Sequence, residues 1–164
     1  MRKILFITGS RGEYGYIRPI LKIIQQTEDI EYEIAVTNMH LLPEFGYSID
    51  EFVKDGFEVK YPTLNTLAGY TPSSMMKSLS LFGLSITDII GQAKPDIILL
   101  AGDRGEQFMG AMAGAHLNIP VAHIQAGVLL RNRYSGLGRC GGACRGSARR
   151  GCWAVHITRV PALH

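Results

Sequence analysis

The chain has 164 residues, 46% apolar and 19% charged, enough for one ordinary domain with a core and unlike the composition of a disordered chain. Nothing approaches the roughly 18 consecutive apolar residues of a membrane span. The net charge of +3 conceals two halves: residues 1–127 carry all 14 acidic side chains and ten basic ones, whereas residues 128–164 carry seven arginines and no acid.

The opening Met1-Arg2-Lys3-Ile4-Leu5-Phe6-Ile7 is basic and then apolar, like a signal peptide. Its apolar run is too short, and Thr8-Gly9-Ser10-Arg11 turns polar at once, so a first strand and a cytoplasmic location are expected. Lys3–Thr8 has the continuous apolar character of a strand covered on both faces. Gly9-Ser10-Arg11-Gly12 breaks it. Ile17, Ile20, Leu21 and Ile24 then recur at helical spacing, with Pro19 expected in the first turns, where proline is tolerated. Tyr32–Thr37 reads as a second strand. Ser48-Ile49-Asp50-Glu51 has a capping-box pattern, and Gly56 is placed to end the short helix it starts. Phe57–Tyr61 predicts a third strand, stopped at Pro62. Residues 63–72 read as loop, and Ser73 and Ser74 offer caps for a helix running to about Gln92. Asp96–Ala101 is a fourth predicted strand, Glu106–Leu117 a helix of small residues, and Val121–Ile124 a fifth strand.

This alternation predicts an α/β fold, a doubly wound parallel sheet. Ligands of such sheets bind beyond the carboxyl ends of the strands, where strand order reverses. Three polar turns lie at such ends: Gly9–Gly15, Gly102–Glu106, and the residues around Gln125-Ala126-Gly127. No internal repeat is present.

Gly9–Gly15 follows a strand and opens a helix, so backbone N–H groups and the helix terminus could meet an anion there, with Arg11 adding a bidentate contact. Its spacing is neither that of a P-loop nor G-x-G-x-x-G, and a glycine turn with a solvated arginine accounts for it equally. In Gly102-Asp103-Arg104-Gly105-Glu106, two carboxylates flank an arginine at the end of a buried strand. A carboxylate there can act as acid or base, and the arginine can bind an anion. The other reading makes Asp103 the N-cap of the next helix and Glu106 its capping-box partner. Gln125, at a strand end, is a candidate hydrogen-bonding group. His123 and His40 read as structural histidines, and Tyr14 and Tyr16 as packing at a helix start.

Thr8-Gly-Ser-Arg11-Gly-Glu13, Met39-His-Leu-Leu-Pro-Glu-Phe-Gly46, Gly102-Asp-Arg104 and Asn118-Ile-Pro-Val-Ala-His-Ile-Gln-Ala-Gly127 occur in this order in one family. The chain resembles the hydrolysing UDP-N-acetylglucosamine 2-epimerases, in the branch that feeds sialic, legionaminic and related nonulosonic acid synthesis. The resemblance covers residues 1–127. It implies the Rossmann-like amino-terminal half of a GT-B fold, in which a nucleotide sugar lies between two such domains. It also implies elimination of UDP from UDP-N-acetylglucosamine and hydration of the glycal, giving N-acetylmannosamine and UDP. Neither metal nor nicotinamide is implied. By the same resemblance, Asp103 takes an acid/base role, while Arg11 and Arg104, with Glu13 and Glu106 beside them, belong to substrate binding. Gln125 falls where many members carry a catalytic glutamate and some carry glutamine. A glutamine exchanges no proton usefully, which points to a different sugar, such as a diacetamido one, or to a different division of labour. The expected partner is a UDP-sugar. No membrane or nucleic-acid partner is expected, and a homo-oligomer is compatible with the sequence.

After Gly127 the resemblance stops. Residues 128–164 hold no carboxylate, all three cysteines and the only tryptophan, and His156-Ile-Thr-Arg159 faintly echoes a displaced family segment. The expectation is a frameshifted or disordered tail on a truncated chain that is inactive alone, tested by translating the other two frames of the locus. Two other classes stay open. One is a noncatalytic binding module whose tail holds zinc through Cys140, Cys144, Cys152 and His156, or nucleic acid through arginines, without the aromatic interleaving that would support it. The other is a different UDP-sugar enzyme on the same scaffold, such as a glycosyltransferase.

Overall fold

The computed structural model describes residues 1–69, 71–125 and 155–158. The sheet runs in the order β3-β2-β1-β4-β5-β6, formed by β1 (Arg2–Thr8), β2 (Ile30–Thr37), β3 (Tyr61–Thr63), β4 (Ile97–Ala101), β5 (Val121–Ile124) and β6 (Val155–Thr158). The first five strands are parallel, and β6 pairs antiparallel with β5. The helices are α1 (Arg11–Ile24), α2 (Ile49–Lys54), α3 (Pro72–Ala93) and α4 (Gly105–His116). The expected doubly wound sheet is present.

Side-chain alternation along β1 divides the core in two. Leu5 and Ile7 pack with Phe82 and Ile86 of α3 and Met109 of α4. Phe6, between them, joins Tyr14, Ile17 and Leu21 of α1 and Phe52 of α2. A strand covered on both faces must be apolar at successive positions, which is why β1 shows no polar alternation. The chain leads outward from β1 to β2 and β3 on one side, and from β4 to β5 on the other. The crevice above the carboxyl ends of β1 and β4 is therefore the topological switch point.

Several local expectations are corrected. The third strand is Tyr61–Thr63, not Phe57–Tyr61, and it contains Pro62. As β3 is the edge strand, a missing N–H need cost no ladder bond there. Phe57 instead plugs the core beneath α1. Pro19 sits mid-helix in α1 rather than in its first turns. The carbonyl it leaves without a partner is that of Gly15, and both residues are exposed, so water can serve it. Helix α3 is capped by Thr71, whose Oγ1 accepts the Ser74 N–H at 3.1 Å, so Ser74 is the box partner rather than the cap. Gly56 ends α2 at φ 79° as expected. Among the described residues no helix is long and apolar enough to cross a membrane. The basic stretch and the side chains of the cysteine–histidine set lie outside the described residues.

Candidate functional site

The turn after β1 folds onto Glu13 of α1. Glu13 is 3% exposed, and its Oε2 accepts the N–H of Gly9 at 2.6 Å, the N–H of Ser10 at 3.2 Å and the hydroxyl of Thr8 at 3.3 Å. Those two N–H groups, which the sequence offered to an anion, are thus taken by an internal carboxylate. Burial pushes the Glu13 pKa up to about 7, with Glu106 adding to the rise against the Gly9 hydrogen bond and Arg104. Its other oxygen is buried without a hydrogen-bond partner.

The turn after β4 supplies the facing wall. Gly102 adopts φ 91°, where a side chain is strained, and a Cβ there would press on Glu13 Cγ at 3.2 Å. His123 of β5 donates from Nε2 to the Gly102 carbonyl at 2.5 Å, tying the β5 and β4 ends together. Helix α4 begins at Gly105 with Arg104 as its N-cap, so the alternative that made Asp103 the cap and Glu106 its box partner does not hold. Asp103 is instead exposed, beside the crevice. Glu106, 3% exposed, turns back under the site. Its Oε2 accepts Arg104 Nε at 3.3 Å, and its Oε1 accepts the side-chain amide of Asn38. A Cβ on Gly9 would lie 3.3 Å from Glu106, so the first turn closes against this carboxylate. Arg104 Nε also lies 3.9 Å from Glu13 Oε1, and one half-exposed guanidinium therefore faces two buried carboxylates.

His40 stands beneath the turn, fully buried, with Nε2 3.0 Å from Thr8 Oγ1 and Nδ1 2.7 Å from Ser48 Oγ. When Glu13 is ionised and accepts the hydrogen bond of the Thr8 hydroxyl, His40 donates from Nε2 to the Thr8 oxygen and Nδ1 accepts from Ser48. Burial lowers its pKa to about 4, with Arg104 acting in the same direction, so the ring is neutral near pH 7. That agrees with the structural role expected of it; Ser48, whose hydroxyl turns to His40, makes no side-chain cap bond to α2.

The structure therefore brings Glu13, Arg104 and Glu106 together. It sets Arg11 apart, with 76% of its side chain exposed and Nε 2.8 Å from Glu51. Gln125 follows β5 in a left-handed conformation, φ 61°. Asn38, at φ 52°, was not singled out in the sequence, although an asparagine just after a strand is a residue type that tolerates this conformation. Among the described residues no group of three or more His, Cys, Asp or Glu side chains could hold a metal ion.

Residues 22–137 match the family described as UDP-N-acetylglucosamine 2-epimerase. The chain belongs to this family. A UDP-N,N'-diacetylbacillosamine 2-epimerase (hydrolyzing) of Legionella pneumophila is 41% identical over 127 residues, 77% of this chain and 34% of the relative. A GDP/UDP-N,N'-diacetylbacillosamine 2-epimerase (hydrolyzing) of Campylobacter jejuni is 34% identical over 130 residues, 78% of this chain and 33% of the relative. A UDP-GlcNAc 2-epimerase from Neisseria meningitidis bound to UDP-GlcNAc superposes with a TM-score of 0.67 at 25% identity, over 81% of this chain and 34% of that one. This epimerase-family chain thus spans about a third of the length of these relatives, and its parallel sheet is a Rossmann-like half of the GT-B arrangement.

Proposed function

We propose that this chain carries the UDP end of the substrate site of a hydrolysing UDP-sugar 2-epimerase, with Arg104 as its anion-binding residue. The observation that carries the reading is the guanidinium at the switch point. Glu106 engages Nε, and the two terminal nitrogens, which make no hydrogen bond among the described residues, are assigned to a diphosphate oxyanion in bidentate geometry. Asp103, exposed on the same turn, is the proposed acid/base group for proton transfer at the sugar C2 carbon. Cationic support from Arg104 eases departure of UDP, and water then adds to the resulting glycal. Gln125 orients the sugar by hydrogen bonding, since an amide is neither a useful acid nor a useful base. Arg11 joins the diphosphate by exchanging Glu51 for it, a small rearrangement because an exposed ion pair contributes little.

The 41% identity to the Legionella enzyme favours a diacetamido sugar over N-acetylglucosamine, and the glutamine at position 125 fits that choice. Titrating UDP into the chain by calorimetry tests the site. Binding is expected, at least tenfold weaker in Arg104→Ala, about the effect of one charge-assisted contact. Equal affinity in both proteins would overturn the assignment. The 164 residues alone are expected to leave UDP-N,N'-diacetylbacillosamine and UDP-N-acetylglucosamine uncleaved. Sustained UDP release abolished by Asp103→Asn would overturn that expectation while supporting the site. Transfer of the sugar to an acceptor, rather than free sugar formation, would make the chain part of a glycosyltransferase.

A further inference from the structure

Glu106 has one oxygen on Arg104 and the other on Asn38, a residue 68 positions earlier in the chain. Asn38 follows β2 at φ 52°, where side chains other than asparagine and aspartate are strained. Its amide nitrogen donates to Glu106, and its amide oxygen accepts the hydroxyl of Thr66 at 3.2 Å. The neighbouring Asn65 is fixed in turn, donating to the Ser78 carbonyl of α3 at 3.0 Å and meeting Thr37 at the end of β2. An unbroken chain of hydrogen bonds therefore joins the loop after β3 to Arg104 through Asn38 and Glu106.

We propose that Asn38 is a positioning residue for Arg104, acting through Glu106. This rests on the reading of Arg104 as the anion-binding residue. The physical reason is geometric. A carboxylate held at one oxygen can still rotate about its terminal torsion, which is broad and soft. Fixing the second oxygen stops that rotation, so the Nε bond sets the plane of the guanidinium. Its terminal nitrogens then meet an oxyanion without first being ordered, which lowers the cost of binding. Asparagine suits the position because it tolerates the left-handed backbone and donates from its side chain. Aspartate would share the first property and oppose Glu106, and glycine would keep the backbone and remove the donor.

Two variants separate this role from a folding role. Asn38→Gly keeps the left-handed backbone but leaves one Glu106 oxygen without its donor, so Tm should fall modestly while the fold is retained. It should weaken UDP binding about 3- to 10-fold, less than Arg104→Ala does. In the free protein, the Arg104 Nε–H resonance should be shifted and exchange slowly with water in the parent chain. In Asn38→Gly it should move and exchange faster, and Asn38→Asp should give the same change. An unaltered Arg104 Nε–H signal in Asn38→Gly overturns the proposal whatever UDP does. Undiminished UDP affinity in Asn38→Gly, with Arg104→Ala impaired, also overturns it and leaves the reading of the site standing. If Arg104→Ala binds UDP as well as the parent does, the reading itself fails and the proposed purpose of Asn38 fails with it.

Discussion

At the scale of single residues, the proposed site asks two things of Arg104 that a lysine could not combine. Nε is engaged by Glu106, while the terminal nitrogens are assigned to the ligand. An ammonium is a single point charge, so Arg104→Lys must choose between the buried carboxylate and the ligand. UDP affinity is expected to fall about tenfold or more, measured by calorimetry, with Tm changed little because the side chain is half exposed. Gly102 presents the opposite case, a residue without a side chain that fixes where others lie. Gly102→Ala places a methyl 3.2 Å from Glu13 Cγ at φ 91°. The strained backbone and the contact together should cost about 1–3 kcal/mol in urea denaturation. A neutral result would mean that the turn after β4 can rebuild itself without glycine.

At the scale of elements, the strands were legible because β1, β4 and β5 are short runs rich in apolar residues and β2 ends in one, and helix α1 because Ile17, Leu21 and Ile24 share one buried face. The third strand was misplaced because Phe57–Tyr61 has strand composition while the edge position that admits Pro62 is a property of the sheet. At the site, the sequence singled out Glu13, Arg104 and Glu106 but not their directions. Nothing local says that Glu13 turns back to consume the Gly9 and Ser10 N–H groups, or that Glu106 reaches Asn38 across the sheet. Those are consequences of strand order. Helix packing was equally hidden, and glycines of similar sequence context differ in what surrounds them. A Cβ on Gly114 of α4 would lie 2.5 Å from Val121 Cγ2 and 3.3 Å from the Ile119 carbonyl oxygen, a stiff side chain and a backbone atom. A Cβ on Gly83 of α3 would meet only the terminal methyl of Met109, which can move aside. Gly114→Ala is therefore expected to destabilise by about 1–3 kcal/mol despite its better helix propensity. Gly83→Ala should be neutral or stabilising by up to about 1 kcal/mol. Equal changes in Tm for the two variants would contradict the close approach of α4 to β5.

At the scale of the whole molecule, two buried titrating groups beneath the same turn should give the stability curve a shape that neither has alone. Glu13 is raised from 4.5 to about 7 by burial. Between those values the folded chain holds a proton that the unfolded chain has released, so its contribution is complete below pH 4.5 and is lost as pH rises to about 7. His40 is lowered from 6.5 to about 4, also by burial. Between those values the unfolded chain holds the extra proton, so its contribution is present above pH 6.5 and is lost as pH falls. Each shift corresponds to something on the order of 3 kcal/mol, and the two slopes oppose each other where their ranges overlap. Because the domain is small, both should act on one cooperative transition. The contribution of this pair to Tm should thus be nearly flat from about pH 4.5 to 6.5 and decline gently toward pH 7. The window stays above the titration of Asp55, which the hydrogen bond from Arg18 holds below its ordinary range. Glu13→Gln fixes the neutral form and removes the falling slope, so its Tm should climb with pH up to about 6.5, exposing the histidine. His40→Gln removes the rising slope, and its Tm should fall steadily toward pH 7. Scanning calorimetry of the parent and both variants decides the matter. If the parent and Glu13→Gln give parallel Tm curves, Glu13 is not the group that offsets His40, and the raised carboxylate beneath the Gly9 turn must be abandoned.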